Sequence, residues 1–166
     1  MSLRKKTSFK VNPDSNSLWQ LYHTVGFWRV FTNTFVISLA RVIPWFKLKN
    51  WLYRSLRIEV GDKTAIAYKV MMDIMYPQRI HIGNNTIIGY NTTILAHEYL
   101  ISEYRLGDVY IGDNVMIGAN STILPGVTIG DNAVIGAGSV ITSNVPAGSF
   151  YAGNPARLVK EKNDED

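Results

Sequence analysis

The sequence predicts an all-β protein, a parallel β-helix of hexapeptide repeats preceded by a helical segment and followed by a short tail. Three observations carry this. Ile111, Ile117, Ile123, Ile129, Ile135 and Ile141 recur every six residues. Four places after each stands a small or β-branched residue: Val115, Ser121, Val127, Ala133, Ser139 and Val145. Between them lie turn-formers such as Gly112-Asp113-Asn114 and Gly130-Asp131-Asn132, which tolerate positive φ and close corners locally. This period fits neither a helix nor the plain alternation of a strand. It is the mark of short strands stacked coil on coil. An antiparallel sandwich also has Gly-rich turns, but its strands are not held to one phase.

The elements follow in order. Residues 1–57 carry ten Lys and Arg against Asp14 alone, a charge of +9, whereas 58–166 carry seven basic and twelve acidic residues, a charge of −5. The first segment also holds all four tryptophans, Trp19, Trp28, Trp45 and Trp51. Leu18, Leu21, Tyr22 and Val25 lie at helical spacing, as do Phe31, Phe35, Leu39 and Val42, with Pro44 ending the run. Leu48, Trp51, Leu52 and Leu56 form a shorter stretch. The longest charge-free apolar run, residues 30–40, is eleven residues, too short for the roughly 20 of a spanning helix. The expectation is a cap whose helices bury their apolar stripe against the first coil, as repeat stacks require. A peripheral contact with an anionic membrane is the alternative use of the same surface.

The repeats cover residues 58–147. Val60, Ile66, Met72, Ile82, Ile88 and Ile94 hold the aliphatic place, with Thr64, Val70, Thr86 and Thr92 in the small one. After Ile94 the small place falls on Glu98, a charge that cannot enter a narrow apolar interior unpaired. The frame is lost until about Tyr110, so residues 98–110 are expected as a loop expelled from one corner. Residues 148–166 form a C-terminal extension, with Asn163–Asp166 as an acidic tail.

Cysteine is absent, which excludes disulfides, thiolate metal sites and a cysteine nucleophile. No apolar leader is visible in 1–17, so the cytoplasm is the default location, with a peripheral position on the inner membrane face as an option. The basic charges are dispersed and no nucleic-acid motif accompanies them. Gly136-Ala137-Gly138 lies in repeat phase and leads into no helix, so it is not a phosphate loop.

The sextets I-G-D-N-V-M, I-G-A-N-S-T, I-L-P-G-V-T, I-G-D-N-A-V and I-G-A-G-S-V, with the ending V-P-A-G-S-F-Y-A-G-N-P-A-R-L-V-K, resemble the hexapeptide-repeat acyltransferases, near the maltose and galactoside O-acetyltransferases. The resemblance covers about residues 80–160; residues 1–57 do not match the usual N-terminal region of that group. It implies a left-handed parallel β-helix, a homotrimer and acyl transfer from acetyl-CoA.

Acetyl-CoA is already activated, so the protein must supply a base for the acceptor, and histidine suits that task. His23 lies outside the repeats, and His81 is expected to face outward between Ile80 and Ile82. His97 lies where the frame breaks, the place the resemblance gives to the catalytic base. Glu98, Tyr99, Tyr104 and Arg105 are candidates for the acceptor. The oxyanion donor is expected from a backbone N–H near Gly118 or Ala119. By resemblance Ala119, Ala137 and Thr142 contact acetyl-CoA, and Arg157 and Lys160 serve its phosphates, although a lysine lacks the bidentate fork of arginine. Met116 stands where the group often has an aromatic residue.

The leading expectation is therefore an O-acetyltransferase acting on a saccharide-like acceptor by direct transfer in a ternary complex. N-acetylation of an amino sugar and a noncatalytic β-helix scaffold are the alternatives. No metal is expected: the metal enzymes of this fold need three converging histidines, and only two lie within the repeats.

Overall fold

The structure, a computed structural model, describes residues 4–12 and 14–161; the acidic tail Asn163–Asp166 lies outside them. The repeats close into the left-handed parallel β-helix, a three-sided prism. The first face stacks Glu59–Val60, Ile80–Ile82, Val109–Ile111 and Thr128–Ile129. The second stacks Ala65–Ile66, Ile87–Ile88, Met116–Ile117, Val134–Ile135 and Ser149–Gly153, and the third Met71–Met72, Thr93–Ile94, Thr122–Ile123 and Val140–Ile141. The antiparallel strand Ala156–Glu161 closes the second face. Every aliphatic and small position of the repeat is buried, from Val60 and Thr64 to Ile141 and Val145.

The corners explain the Asn and Gly. The third residue after the aliphatic position adopts positive φ at Lys63, Lys69, Asn85, Asn91, Asn114, Asn120, Gly126, Asn132 and Gly138. Asparagine side chains also bond up the column, Asn85 Nδ2 to Asn114 Oδ1 at 2.8 Å and Asn91 Nδ2 to Asn120 Oδ1 at 3.0 Å. His97 holds the same place after Ile94 but is not among the positive-φ residues. The chain does not turn there, and it runs outward as a strand.

Coil length locates the departures. Val60 pairs with Ile82, Ile82 with Ile111 and Ile111 with Ile129, so successive coils take 22, 29 and 18 residues. Against the regular 18, the first coil has four extra residues and the second eleven. Both excesses fall at the corner after the third face. The second forms an antiparallel hairpin, His97–Tyr99 with Glu103–Leu106, and Thr7–Lys10 adds to it as a third strand.

Helices α1 (Leu21–Thr24), α2 (Phe27–Val42) and α3 (Phe46–Ser55) cover the N-terminal end. Strand N–H groups of the first coil donate to the second, as Ala65 does to Thr86 O and Ala67 to Ile88 O. The first coil's carbonyls therefore reach the open end without a strand to satisfy them. Side chains do so instead. Lys49 Nζ donates to Ile66 O and Ala67 O at 3.0 Å, Asn50 Nδ2 to Thr64 O at 2.8 Å and Arg54 to Val60 O. Burial holds the Lys49 ammonium below its ordinary pKa.

This corrects the expected orientation of the cap. Phe31, Phe35, Leu39 and Val42 are exposed, and α2 turns Asn33, Ile37 and Ala40 inward. The physical reason is the carbonyl edge, which draws polar donors such as Asn33, bonded to Ile74 O at 2.8 Å, toward the coil.

Candidate active site

His97 and Asp73 meet at the corner where both coils are lengthened. The second coil lies 22 residues on from the first, so Met72 stands against Ile94 and Asp73 against the start of the hairpin. His97 Nδ1 lies 2.5 Å from Asp73 Oδ2. The same oxygen accepts from Ala96 N–H at 2.7 Å, and Oδ1 accepts from Met75 and Tyr76 N–H, both at 2.9 Å. The Asp73 side chain is 0% exposed and that of His97 15%. Burial opposes ionisation of Asp73, but the His97 hydrogen bond, the attraction of its ring and the Tyr76 and Ala96 N–H groups outweigh it and hold the carboxyl below its ordinary value. A carboxylate that only accepts requires a proton on Nδ1, which leaves the lone pair of His97 on Nε2.

Asp73 is the residue that the sequence reading missed. Its signal was present: among the residues that directly follow an aliphatic repeat position, the others are Gly, Ala, Leu or Thr, and Asp73 alone is charged. Disturbed phase after Met72 hid it.

Strand alternation sorts the acceptor candidates. Tyr99 and Tyr104 pair across the hairpin, and both lie on the face of His97. Tyr99 stands edge-on to the imidazole at 5.2 Å and stacks on Tyr104 at 5.6 Å, and Phe9 of the added strand stacks on Tyr104 at 4.9 Å. Tyr76 approaches the imidazole at 5.9 Å. Burial pushes the Tyr99 and Tyr104 phenols up in pKa, so both stay neutral. Tyr99 Oη is hydrogen-bonded to Thr24 Oγ1 at 2.9 Å.

Glu98 and Arg105 pair on the opposite face. Glu98 meets Arg4 at 2.7 Å and Lys6 at 3.2 Å. Burial raises its pKa, but these two cations more than offset that and leave it lowered. Arg105 Nε donates to Glu103 at 2.7 Å. Glu98 thus holds the residues that lead into the N-terminal strand, and Arg105 binds Glu103 of its own strand, rather than the imidazole's face.

The cofactor candidates divide between two corners. Ala119 and Ala137 lie on the column after the second face, preceded in the lower coils by the stacked Tyr68 and Tyr90. Arg157 pairs with Ala152, whose Cβ lies over Gly136, so it stands at the end of the alanine column. Lys160 pairs with Phe150 on the same strand. Thr142 follows the third face and shares the corner of Asp73 and His97. The Gly118 N–H donates to Ile135 O at 2.8 Å, which takes it out of the two oxyanion candidates and leaves Ala119. Met116 is exposed on the second face beside Ile87. His81 faces outward, 2.7 Å from Glu59 and stacked on Tyr110 at 4.5 Å; His23 is exposed on α1.

Comparison with known proteins agrees with this architecture. Residues 108–143 match the family model of the bacterial transferase hexapeptide, six repeats. The chain is 56% identical over 159 residues to a Bacillus subtilis protein named "Putative acetyltransferase YvoF", covering 95% of this chain and 92% of that one. A hexapeptide-repeat acetyltransferase of Vibrio cholerae shares the fold, with a TM-score of 0.69 at 21% identity over 92% of this chain and 98% of that one. A galactoside acetyltransferase solved in complex with coenzyme A superimposes with a TM-score of 0.61 at 26% identity, over 87% of this chain and 84% of that one.

Proposed function

The chain belongs to the hexapeptide-repeat acetyltransferases, and from that membership we propose that it moves the acetyl group of acetyl-CoA to a hydroxyl of a saccharide-like acceptor, with His97 as general base. The observation that carries the assignment is the Asp73–His97 hydrogen bond of 2.5 Å, which fixes the basic lone pair on Nε2. The coenzyme A bound to the similar galactoside acetyltransferase supports the donor.

In this reading the acceptor hydroxyl gives its proton to Nε2 as its oxygen attacks the thioester carbonyl. The tetrahedral oxyanion takes a hydrogen bond from a backbone N–H, with Ala119 as the candidate. Collapse of the intermediate breaks the carbon–sulfur bond, and the imidazolium returns the proton to the leaving thiolate. The products are the acetyl ester and free coenzyme A, with no covalent acetyl-enzyme. Asp73 orients the ring and stabilises the imidazolium. Tyr99 and Tyr104 flank the acceptor, while Glu98 acts by tying the N-terminal segment to the hairpin and Arg105 by bonding Glu103 within it.

A homotrimer belongs to the proposal. The alanine column and the His97 corner lie on different edges of one prism, and abutting the edge of one copy on that of the next brings thioester and base together. Arg157 and Lys160 then take the phosphates of the cofactor.

The test is thiol release from acetyl-CoA across sugars, nucleotide sugars and cell-wall fragments, with mass spectrometry of the product to distinguish an ester from an amide. His97→Ala is expected to lower turnover by about 10² to 10⁴ and leave the fold intact. Full activity of that variant overturns the assignment.

A further inference from the structure

The helical cap shows solvent a surface that the coil does not use. On α2 the side chains of Trp28, Phe31, Phe35, Leu39 and Val42 recur at helical spacing, and all are exposed. Trp45, Phe46 and Trp51 continue this surface around α3. The four tryptophans are 62% to 83% exposed. A contiguous apolar surface of this kind marks an interaction site.

Charge selects the occupant. From Leu21 to Ser55 the chain carries no acidic residue, and its cations apart from the buried Lys49 are Arg29, Arg41, Lys47 and Arg54. Next to Trp28, a cleft of about 520 Å³ between α2 and the end of α3 is lined by Arg29, Arg57, Thr32, Asn33 and Ser55. Cations and hydroxyls beside an exposed indole offer ion pairs and hydrogen bonds to a phosphodiester. Tryptophan and tyrosine prefer the boundary between apolar chains and water. Among the described residues no helix is long and apolar enough to cross a membrane. A 16-residue helix with one aromatic stripe along it is suited to lie in the plane of a surface.

We infer that the outer face of α2 and α3 docks the protein on an anionic lipid surface, with the aromatic stripe entering the boundary and Arg29 and Arg57 taking a headgroup phosphate. A protein partner of mixed charge would meet the uniformly cationic surround less well, and a second copy would place like charges against each other.

The experiment is flotation of the full chain with vesicles of phosphatidylcholine alone and of phosphatidylcholine mixed with phosphatidylglycerol. Tryptophan emission is read in parallel, because three of the four indoles, Trp28, Trp45 and Trp51, lie on the docking face. The expected result is flotation and a blue shift with the anionic vesicles, both weakened by salt, and neither with the neutral ones. Trp28→Ala with Phe35→Ala is expected to lower partitioning at least tenfold, because two large side chains no longer leave water on docking. Arg29→Gln with Arg57→Gln is expected to abolish the preference for anionic lipid. The inward Asn33, Ile37 and Ala40 are untouched, and a melting curve checks the fold of each variant. Absence of wild-type flotation with anionic vesicles overturns the inference, as does unchanged partitioning of a folded aromatic variant. Loss of oligomer size in that variant, measured by sedimentation with no vesicle binding by the wild type, assigns the face to a second copy instead.

Discussion

Arg4 and Glu98 are separated by 94 positions in the chain and by 2.7 Å in the structure. Their contact binds the residues that lead into the N-terminal strand to the hairpin that begins at His97. Lys5 extends the attachment, its N–H donating to Gly126 O at 3.1 Å. Gly126 is at φ +78, and a Cβ there would lie 2.3 Å from Lys5 O, so the close approach depends on glycine.

Loosening this attachment should disturb the site more than the scaffold. Arg4→Ala is expected to lower kcat several-fold while the melting temperature of the coils moves by only a few degrees. Gly126→Val is expected to displace the strand more severely. Limited proteolysis near residues 4–10, compared with thiol release, checks both.

Asp73→Asn keeps the size of the side chain but can present an amide N–H to Nδ1 of His97. The favoured tautomer is lost, and with it much of the roughly 10² to 10⁴ that a positioned base supplies. The fall should appear in kcat, with KM for acetyl-CoA little changed. Nitrogen NMR of the imidazole should show Nδ1–H in the wild type and its loss in the variant.

The lowered pKa values of Asp73 and Glu98 give a signed dependence on acid. Each group binds fewer protons folded than unfolded just below its ordinary value, so its stabilisation is complete above that value and is lost as pH falls through the folded one. The wild type should lose stability below about pH 4.5, the ordinary value of Glu98. Glu98→Gln and Asp73→Asn should each flatten the slope, as read by denaturant midpoints across acid pH.

Lys49→Met leaves the buried Ile66 carbonyl and the half-buried Ala67 carbonyl without this donor. The cost is about 1 to 3 kcal/mol for each orphaned group, partly offset because burying the ammonium is itself unfavourable. A net loss of about 2 kcal/mol is expected by chemical denaturation, with catalytic parameters unchanged in the folded fraction.

Ala137→Trp places an indole on the exposed alanine column. It should raise KM for acetyl-CoA by about tenfold or more and leave kcat for bound donor much less affected, with the coils unaltered because Ala137 points away from the core.

The coils were legible because each interior position must be filled the same way in every turn, from Val60 to Val145. His97 was legible because it stands where that demand fails. Asp73 was not, since its role depends on the length of the first coil, which only the pairing of Met72 with Ile94 reveals. The strand Thr7–Lys10 carries no apolar alternation, because its four residues are exposed and held by hydrogen bonds from the hairpin edge. The helices were legible by spacing, but their orientation was set by the carbonyl row they cover.

Where the hairpin leaves the coil and where it returns, Gly107 N–H donates to Ala96 O at 3.0 Å. The two ends of the excursion are thus neighbours, and the strands on either side of it, Thr93–Ile94 and Val109–Ile111, keep their register with the coils above and below. The segment 97–106 is inserted between two rungs whose stacked register it leaves intact. In the roles proposed for His97, Tyr99 and Tyr104, the base and the acceptor surface are carried by this excursion, apart from the stacked rungs.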